Sequence, residues 1–394
     1  MVSTAEQMRS YTGPALFSYG FRPFFLFGAL WSIVAVALWL PLLSGAFSLP
    51  IVLSPIEWHA HELIFGYVPA IVAGFLLTAV PNWTGRLPVV GTPLAALFSV
   101  WMLGRIAVLT SRLVGAVPAA VVDLSFLSLL CVVSAREIIS AKNKRNFVVL
   151  GLLVMLLLAN GLFHYEVATA GSTQVAIRLG IAVTITLIML IGGRVTPSFT
   201  RNWLVRRSPG NLPAPSDKLD IGVLLVSAVA LAAWVAFPDW SVSGALCILA
   251  ASANVFRVGR WAGWRTAAEP LVLVLHIAFL FVPIGFALVG VAILSPATLA
   301  QSGAIHGWTT GAIAMMTLAI MTRASLGHTG CSLVASPSIT LIYVSAFGAA
   351  LARILAAFEF DREAMLHTSV FLWVVAFATF VIVFAPLLVR PKSK

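Results

Sequence analysis

Long apolar runs dominate this chain and alternate with short polar segments. Twelve runs approach the roughly 20 residues that an α-helix needs to cross a bilayer. They lie at about 24–43, 59–80, 93–112, 117–138, 146–166, 174–194, 219–237, 240–257, 269–294, 303–322, 337–357 and 366–389. Only Pro238 and Asp239 divide the seventh run from the eighth, so this boundary is marked least clearly. The pattern predicts an all-α polytopic membrane protein with about twelve spans, numbered 1 to 12 below.

The composition indicates that the protein lies in a membrane rather than in water. Of the 394 residues, 60% are hydrophobic and 9% are charged, whereas soluble domains carry about 25% charged residues. So few charges do not cover a protein of this size with a polar surface. We therefore expect a single transmembrane domain over residues 1–394, with an N-terminal segment at 1–20, a longest loop at 195–218 and a tail at 390–394.

The basic residues indicate the orientation of the spans. If the N-terminus is cytoplasmic, 19 of the 24 Lys and Arg residues fall on the cytoplasmic side. The positive-inside rule then places both termini in the cytoplasm, together with the 1–20 segment, the 195–218 loop and the 390–394 tail. The net charge of +11 is accordingly attributed to topology and to contact with anionic membrane lipid, and no nucleic-acid partner is expected.

The predicted cytoplasmic ends of spans 2, 6 and 10 resemble one another. Segments 78–86, 192–201 and 321–330 each combine Thr and Arg with Gly or Pro. One interpretation is that any cytoplasmic helix end collects these residue types. The other is an internal repeat of three four-helix units around a central site, because internal repeats are common in membrane folds. By fold-level analogy alone, that arrangement is like a haem–copper oxidase.

Histidines are placed unevenly in the predicted topology. A histidine in hydrocarbon is costly unless its ring is satisfied, so it indicates function. Neutral imidazole is a common ligand of copper, zinc and iron, and histidine also binds haem iron. Alternatively, each ring is an interfacial hydrogen-bonding group. His59, His61, His164, His306 and His367 lie at outward ends of spans, His276 lies in the cytoplasmic half of span 9, and His328 lies in a cytoplasmic loop.

Four residues near these histidines are candidates for a supporting role. Carboxylates commonly fix the second ring nitrogen of a metal-bound histidine. Tyr67 is a further candidate on span 2. The predicted carboxylates are Glu57 and Glu62 beside His59 and His61, and Glu166 beside His164. On a regular helix His59 and His61 point about 200° apart, so we expect them to serve different sites unless the start of the helix is irregular.

A charged pair is also predicted inside the membrane. Arg105 in span 3 and Asp123 in span 4 lie at similar depths from the connection between these spans. One interpretation is a structural ion pair. The other is that Arg105, together with Arg178 and Arg353 near other outward ends, holds carboxylates of a bound cofactor, since arginine binds carboxylates in a bidentate manner.

Several longer motifs resemble the NnrS family. They are FSYGFRPFF at 17–25, WHAHELIFGY at 58–67, AGFLLTAVPNWTGR at 73–86, GGRVTPSFT at 192–200 and MTRASLGHTG at 321–330. The resemblance runs from about residue 17 to the last span. It implies a bacterial inner-membrane protein that contains haem and copper and is linked to denitrification and to defence against nitric oxide. Its motifs include His59, His61 and Glu62 in span 2 and His306 and His328 around span 10, while His164 and His276 match less closely.

Two functions are compatible with these features. The first is a haem- and copper-binding protein that handles nitric oxide or nitrosylated metal in its periplasmic half. Its candidate ligands are His59, His61, His164, His276, His306 and His328, and its electron donor, as well as catalytic turnover, is left open. The alternative is a twelve-span transporter of a metal ion, haem or a small molecule, which would require broken helices with polar residues at mid-membrane.

Overall fold

The computed structural model describes residues 11–169, 171–207 and 209–391. Every regular element in this part of the chain is helical, and twelve helices are long and apolar enough to cross a membrane. The prediction of a twelve-span helical membrane protein is confirmed. The spans are Phe21–Leu43, Pro55–Pro81, Thr92–Leu109, Ala116–Ser140, Lys144–Thr169, Gln174–Leu204, Lys218–Ala236, Ser241–Gly259, Pro270–Leu294, Gln301–Thr329, Pro337–Ala357 and Arg362–Val389.

Some helix ends differ from their apolar runs. The helices of spans 2, 6 and 10 continue to Thr84, Leu204 and Thr329, because a helix satisfies its own backbone hydrogen bonds after its side chains turn polar. The loop predicted at 195–218 therefore begins only after Leu204. His328, predicted in a loop, lies in the last turn of span 10. Residues 1–10 and 392–394 of the predicted terminal segments lie outside the described residues.

Spans 2, 6 and 10 share a local irregularity. Each contains a π-helical segment, at Glu62–Tyr67, Ile188–Gly192 and Gly307–Ile313 respectively. A π-helical turn accommodates an extra residue within a continuous helix and re-aims the side chains that follow, and it is frequent at functional sites. This shared feature adds to the sequence similarity of the three spans. Their grouping into three four-helix units stays a prediction.

The chain is divided by its internal contacts into two compact units. The first comprises the described residues of Met1–Gly180, Ala324–Cys331 and Phe380–Lys394, and the second comprises Ile181–Arg323 and Ser332–Thr379. Within the first unit, Phe24 packs its ring against those of Trp101 and Phe126. Arg22 donates hydrogen bonds to the Leu388 and Arg390 carbonyls, which fastens the end of span 12 to the start of span 1.

Candidate metal centre

A buried polar cluster lies at one end of the first unit, where spans 2 to 5 meet. Its members come from four helices, yet all but one are closed off from the surroundings. His61 and Glu62 are 0% exposed, and Arg105 and Asp123 are 2% exposed. The His164 side chain is 15% exposed. Buried charges are costly unless they are paired, so this group carries an electrostatic cost that hydrogen bonding has to offset.

The start of span 2 is fixed by a capping box. Ser54 Oγ accepts a hydrogen bond from the Glu57 backbone N–H at 3.3 Å, while Glu57 Oε2 accepts one from the Ser54 N–H at 2.9 Å. Pro55 occupies the first helical position, where its missing N–H costs nothing. The Glu57 carboxylate, predicted to support a histidine, therefore serves the helix start.

Glycine allows spans 2 and 3 to approach closely beside the cluster. A Cβ atom at Gly66 would lie 2.4 Å from Arg105 Nη1 and 3.0 Å from Glu62 Oε2. The Gly66 carbonyl accepts a hydrogen bond from Trp101 Nε1 at 3.0 Å. Any larger residue at position 66 would displace the guanidinium from its carboxylates, so this glycine is required by the charge network.

Arg105 joins two carboxylates. Its Nη1 donates to Glu62 Oε2 at 2.7 Å, and its Nη2 donates to Asp123 Oδ1. Trp31 Nε1 also donates to Glu62 Oε2, at 2.7 Å. Charge-assisted hydrogen bonds of this type are about twice as strong as neutral ones. The predicted pairing of Arg105 with Asp123 is thus present, and the guanidinium is already engaged by protein carboxylates.

Two imidazoles converge on the other oxygen of Asp123. His164 Nε2 lies 3.0 Å from Asp123 Oδ2, and Asn160 Nδ2 donates to the same oxygen at 2.7 Å. His61 Nε2 lies 3.2 Å from this oxygen but is not aligned for a hydrogen bond. His61, Asp123 and His164 each offer one ligand atom, and these three atoms all lie within 4.8 Å of one another.

Glu62 determines which nitrogen of His61 faces this group. Its Oε1 lies 2.9 Å from His61 Nδ1. A carboxylate accepts only, so Nδ1 carries the hydrogen and a neutral ring has its lone pair on Nε2. That lone pair is directed to the space shared with Asp123 and His164. Carboxylates orient metal-bound histidines in this way.

The cluster has an excess of negative charge when its histidines are neutral. Glu62 and Asp123 supply two carboxylates, and Arg105 supplies one cation. A buried net charge in a membrane protein is expensive. A cation bound between the two imidazoles and Asp123 would compensate it, and two imidazoles with one carboxylate are ligands suited to a transition metal.

A comparison with known protein families identifies the family of this chain. The sequence model of the family described as NnrS protein matches residues 15–392. The chain belongs to the NnrS family. No curated protein matches it. The NnrS match covers both compact units and every predicted site residue, and it confirms the resemblance of the motifs.

Several other predicted site residues also lie in the first unit but outside the His61–Asp123–His164 group. His59 stacks on the Trp39 ring with the centroids 4.3 Å apart, so it points toward span 1. Glu166 Oε2 accepts from the Ala176 backbone N–H at 3.1 Å and fixes the start of span 6. Tyr67 is buried in the π-helical segment, and Arg178 is half-buried in the first turns of span 6.

His328 lies at the opposite end of the first unit from the cluster. Its ring packs between the rings of Tyr19 and Phe21, with centroid distances of 5.3 and 5.4 Å. These two residues precede and begin span 1, whereas His61 follows the first turns of span 2. His328 and His61 therefore do not belong to one centre.

Other predicted residues lie in the second unit. His276 Nε2 is 2.7 Å from Thr200 Oγ1, and Thr200 Oγ1 donates to the Thr196 carbonyl. His276 therefore donates through Nε2. His306 directly precedes the π-helical segment of span 10 and is half-buried, as is Arg353 in span 11.

The fold combines groups that are separate in the sequence pattern. The pattern indicates the Arg105–Asp123 pair and the histidines as two features, although Asp123 contacts both histidines of the cluster. Asn160 was missed, and the available signal was its position four residues before His164, which places both on one face of span 5. Trp31 gave no signal, because tryptophan is common in membrane helices.

Proposed function

We propose that this NnrS-family protein binds a transition metal at His61, Asp123 and His164 and uses it to handle nitric oxide or nitrosylated metal. The observation that supports the proposal most strongly is the buried grouping of two imidazoles and one carboxylate, beside a second carboxylate, Glu62, and a single arginine. The family resemblance adds the link to nitrosative stress and denitrification. Redox turnover of nitric oxide requires an electron donor.

The side chains of this cluster fit a metal ion. His61 offers the unpartnered lone pair of Nε2, and Asp123 offers Oδ2, while Arg105 and Asn160 hold the carboxylate in place. His164 gives up the proton on Nε2 when it becomes a ligand, because metals bind deprotonated ligands. The metal would supply a coordination position for nitric oxide and, if its oxidation state changes, redox chemistry.

Copper and haem are the cofactors expected from the family. Imidazole ligands suit copper, and we assign copper to the His61–Asp123–His164 cluster. For haem, the remaining candidates are His59, His276, His306 and His328. Arg105 is no longer a candidate for holding haem carboxylates, since Glu62 and Asp123 engage it. Arg178 and Arg353 keep that proposed role.

The proposal also includes an orientation and a location. The excess of Lys and Arg on one side supports cytoplasmic termini. The cluster lies at the starts of spans 2 and 4 and at the ends of spans 3 and 5. In this orientation these helix ends face outward, so the cluster would lie in the periplasmic half of a bacterial inner membrane.

A transporter is less well supported. Alternating-access transporters bind substrate at broken helices, but the helix of span 2 continues through its π-helical segment without interruption. The charges beside that segment are engaged by one another rather than left for a passing substrate.

Metal analysis of the purified protein tests the proposed function. Copper, iron and haem contents would be measured in the wild type, His61→Ala and His164→Ala, with His367→Ala as the matched control because His367 is exposed on span 12. We expect the first two variants to lose copper selectively, and nitric oxide to change the optical spectrum of the wild type. Wild-type protein from metal-replete cells that contains neither copper nor haem would contradict the proposal.

A further inference from the structure

One side of the buried cluster reaches the surface of the chain. His164 is 15% exposed, whereas every other charged or histidine member of the cluster is at most 2% exposed. Access to the ligand atoms by a small molecule therefore leads past the His164 ring rather than past His61 or Arg105.

The exposed surface of the helix that carries this ring is largely apolar. Leu158 is 61% exposed and Tyr165 is 64% exposed, on the same helix as His164. The helix ends at Thr169, five residues later, so His164 lies about 7–8 Å inside the end of the span at 1.5 Å per residue. A tyrosine near the end of a span is typical of the membrane–water interface. From its distance to the helix end, we expect the exposed edge of His164 to lie at the depth of the lipid, just inside the interface.

We infer that the cluster is reached laterally from the lipid phase, past His164, and therefore takes a small uncharged ligand rather than a hydrated anion. A charged ligand would lose its hydration on this route, and burying an unpaired charge is strongly unfavourable. A neutral diatomic gas has no charge hydration to lose. The inference rests on the proposed function for the identity of the gas, and it assigns to His164 a position at the entrance of the site.

Ala168, one helical turn after His164, lies beside this entrance. Ala168 is exposed and lies four positions further along the helix. Residues at i and i+4 lie on one face, and helical side chains lean toward the N-terminus. A phenylalanine at 168 would therefore lie over the exposed edge of His164 without replacing any member of the cluster.

The test measures the rate of nitric oxide association with the metal-loaded protein in lipid nanodiscs by stopped-flow absorption. We expect Ala168→Phe to lower the association rate constant by about tenfold or more, with metal content and final nitric oxide occupancy unchanged. Ala96→Phe is the matched control, because Ala96 is exposed near the opposite end of span 3 from Arg105. An unchanged rate in Ala168→Phe, or azide binding as fast as nitric oxide, would overturn the inference.

A second measurement does not depend on a metal. Deuterium exchange at the imidazole C2 position, followed by mass spectrometry, reports whether water reaches a histidine ring. We expect His164 to exchange about tenfold more slowly than the exposed His367 in the same nanodiscs. Equal exchange rates would contradict lateral access. Wild-type protein without metal would contradict the proposed function, while equal exchange rates at the two histidines would still count against the lateral route.

Discussion

Each of the two units contains a buried group in which a π-helical segment, a glycine and an arginine lie together. In the first unit, a π-helical segment, Gly66 and Arg105 lie together, and a Cβ at the glycine would be 2.4 Å from the guanidinium. In the second unit, the π-helical segment Ile188–Gly192, Gly193 and Arg257 repeat the pattern with the same 2.4 Å distance. Each arginine pairs with a buried aspartate, Asp123 or Asp220.

The difference lies in what surrounds the ion pair. Arg257 donates to Asp220 at 2.8 Å and to the Met189 carbonyl at 3.2 Å. Arg260 and Asp217 add one charge of each sign, so that group is neutral. The first unit instead has a second carboxylate, Glu62, and two histidines. An arginine–aspartate pair beside a π-helical turn is therefore a way to join spans, and only the excess carboxylate and the imidazoles make the first one a candidate metal centre.

Removing each arginine should have the largest effect. Arg105→Met leaves two buried carboxylates without their cation, and breaking a buried pair costs about 3–5 kcal/mol. Arg257→Met leaves one buried carboxylate that still has Arg260 nearby. We expect a lower yield of monodisperse protein and a lower thermal unfolding temperature for Arg105→Met than for Arg257→Met. Equal losses, measured by fluorescence-detected size exclusion over a temperature series, would argue against the charge imbalance.

Neutralising the aspartates should separate metal binding from folding. Asp123→Asn removes a proposed ligand, so we expect metal affinity to fall by about 100-fold or more, beyond the effect of losing a supporting residue. Asp220→Asn should leave metal affinity unchanged, because its carboxylate contacts no histidine of the cluster. Isothermal titration with copper on apo protein measures both. A comparable loss in the two variants would remove the distinction between the two arrangements.

The glycines provide a matched pair of smaller changes. Gly66→Ala and Gly193→Ala each place a methyl group against a buried guanidinium, and overpacking of this kind costs about 1–3 kcal/mol. We expect both variants to lose thermal stability by similar amounts. Only Gly66→Ala should also weaken metal binding, since it displaces Arg105 from Asp123. Weaker metal binding in Gly193→Ala would show that the effect is global.

Glu62→Gln should have a moderate and specific effect. An amide at this position no longer requires His61 to carry its hydrogen on Nδ1, and loss of such a supporting partner typically lowers metal affinity about 10- to 100-fold. We expect retained folding, weaker copper binding and a changed histidine hyperfine pattern in pulsed electron paramagnetic resonance. An unchanged pattern would mean that Glu62 does not orient the ring.

The smallest effect is expected at the exposed edge of the second arrangement. The hydrogen bond from the Arg260 guanidinium lowers the pKa of Asp217 below its usual value of 3.8. A carboxyl group whose pKa is lower in the folded state adds stability above the unfolded pKa and loses it as the pH falls through the folded pKa. Asp217→Asn, which keeps the helix cap, should slightly reduce the loss of stability at acidic pH. A thermal unfolding series over pH tests this, and an effect at neutral pH as large as that of Arg257→Met would contradict it.

The fold was largely accessible from the sequence, and the site only partly. Apolar length predicts spans well because a single segment crosses hydrocarbon as a helix, which pairs all of its own backbone groups. The apolar pattern does not show that a helix continues through polar residues beyond the membrane, as it does to Leu204 and Thr329. It also does not show the π-helical turn that changes the direction of the side chains after His61. Grouping His61 with Asp123 and His164 depends on the packing of three separate helices, which periodicity within one helix does not specify.

X-ray absorption at the copper edge tests the proposed centre most directly. Spectra of the copper-loaded wild type and of the control His367→Ala would be compared with those of His164→Ala reconstituted with excess copper. Two imidazole nitrogens and one carboxylate oxygen are predicted for the wild type and the control, with one imidazole lost in His164→Ala. A sulfur ligand, or the same number of imidazoles in all three proteins, would contradict metal binding by His61, Asp123 and His164.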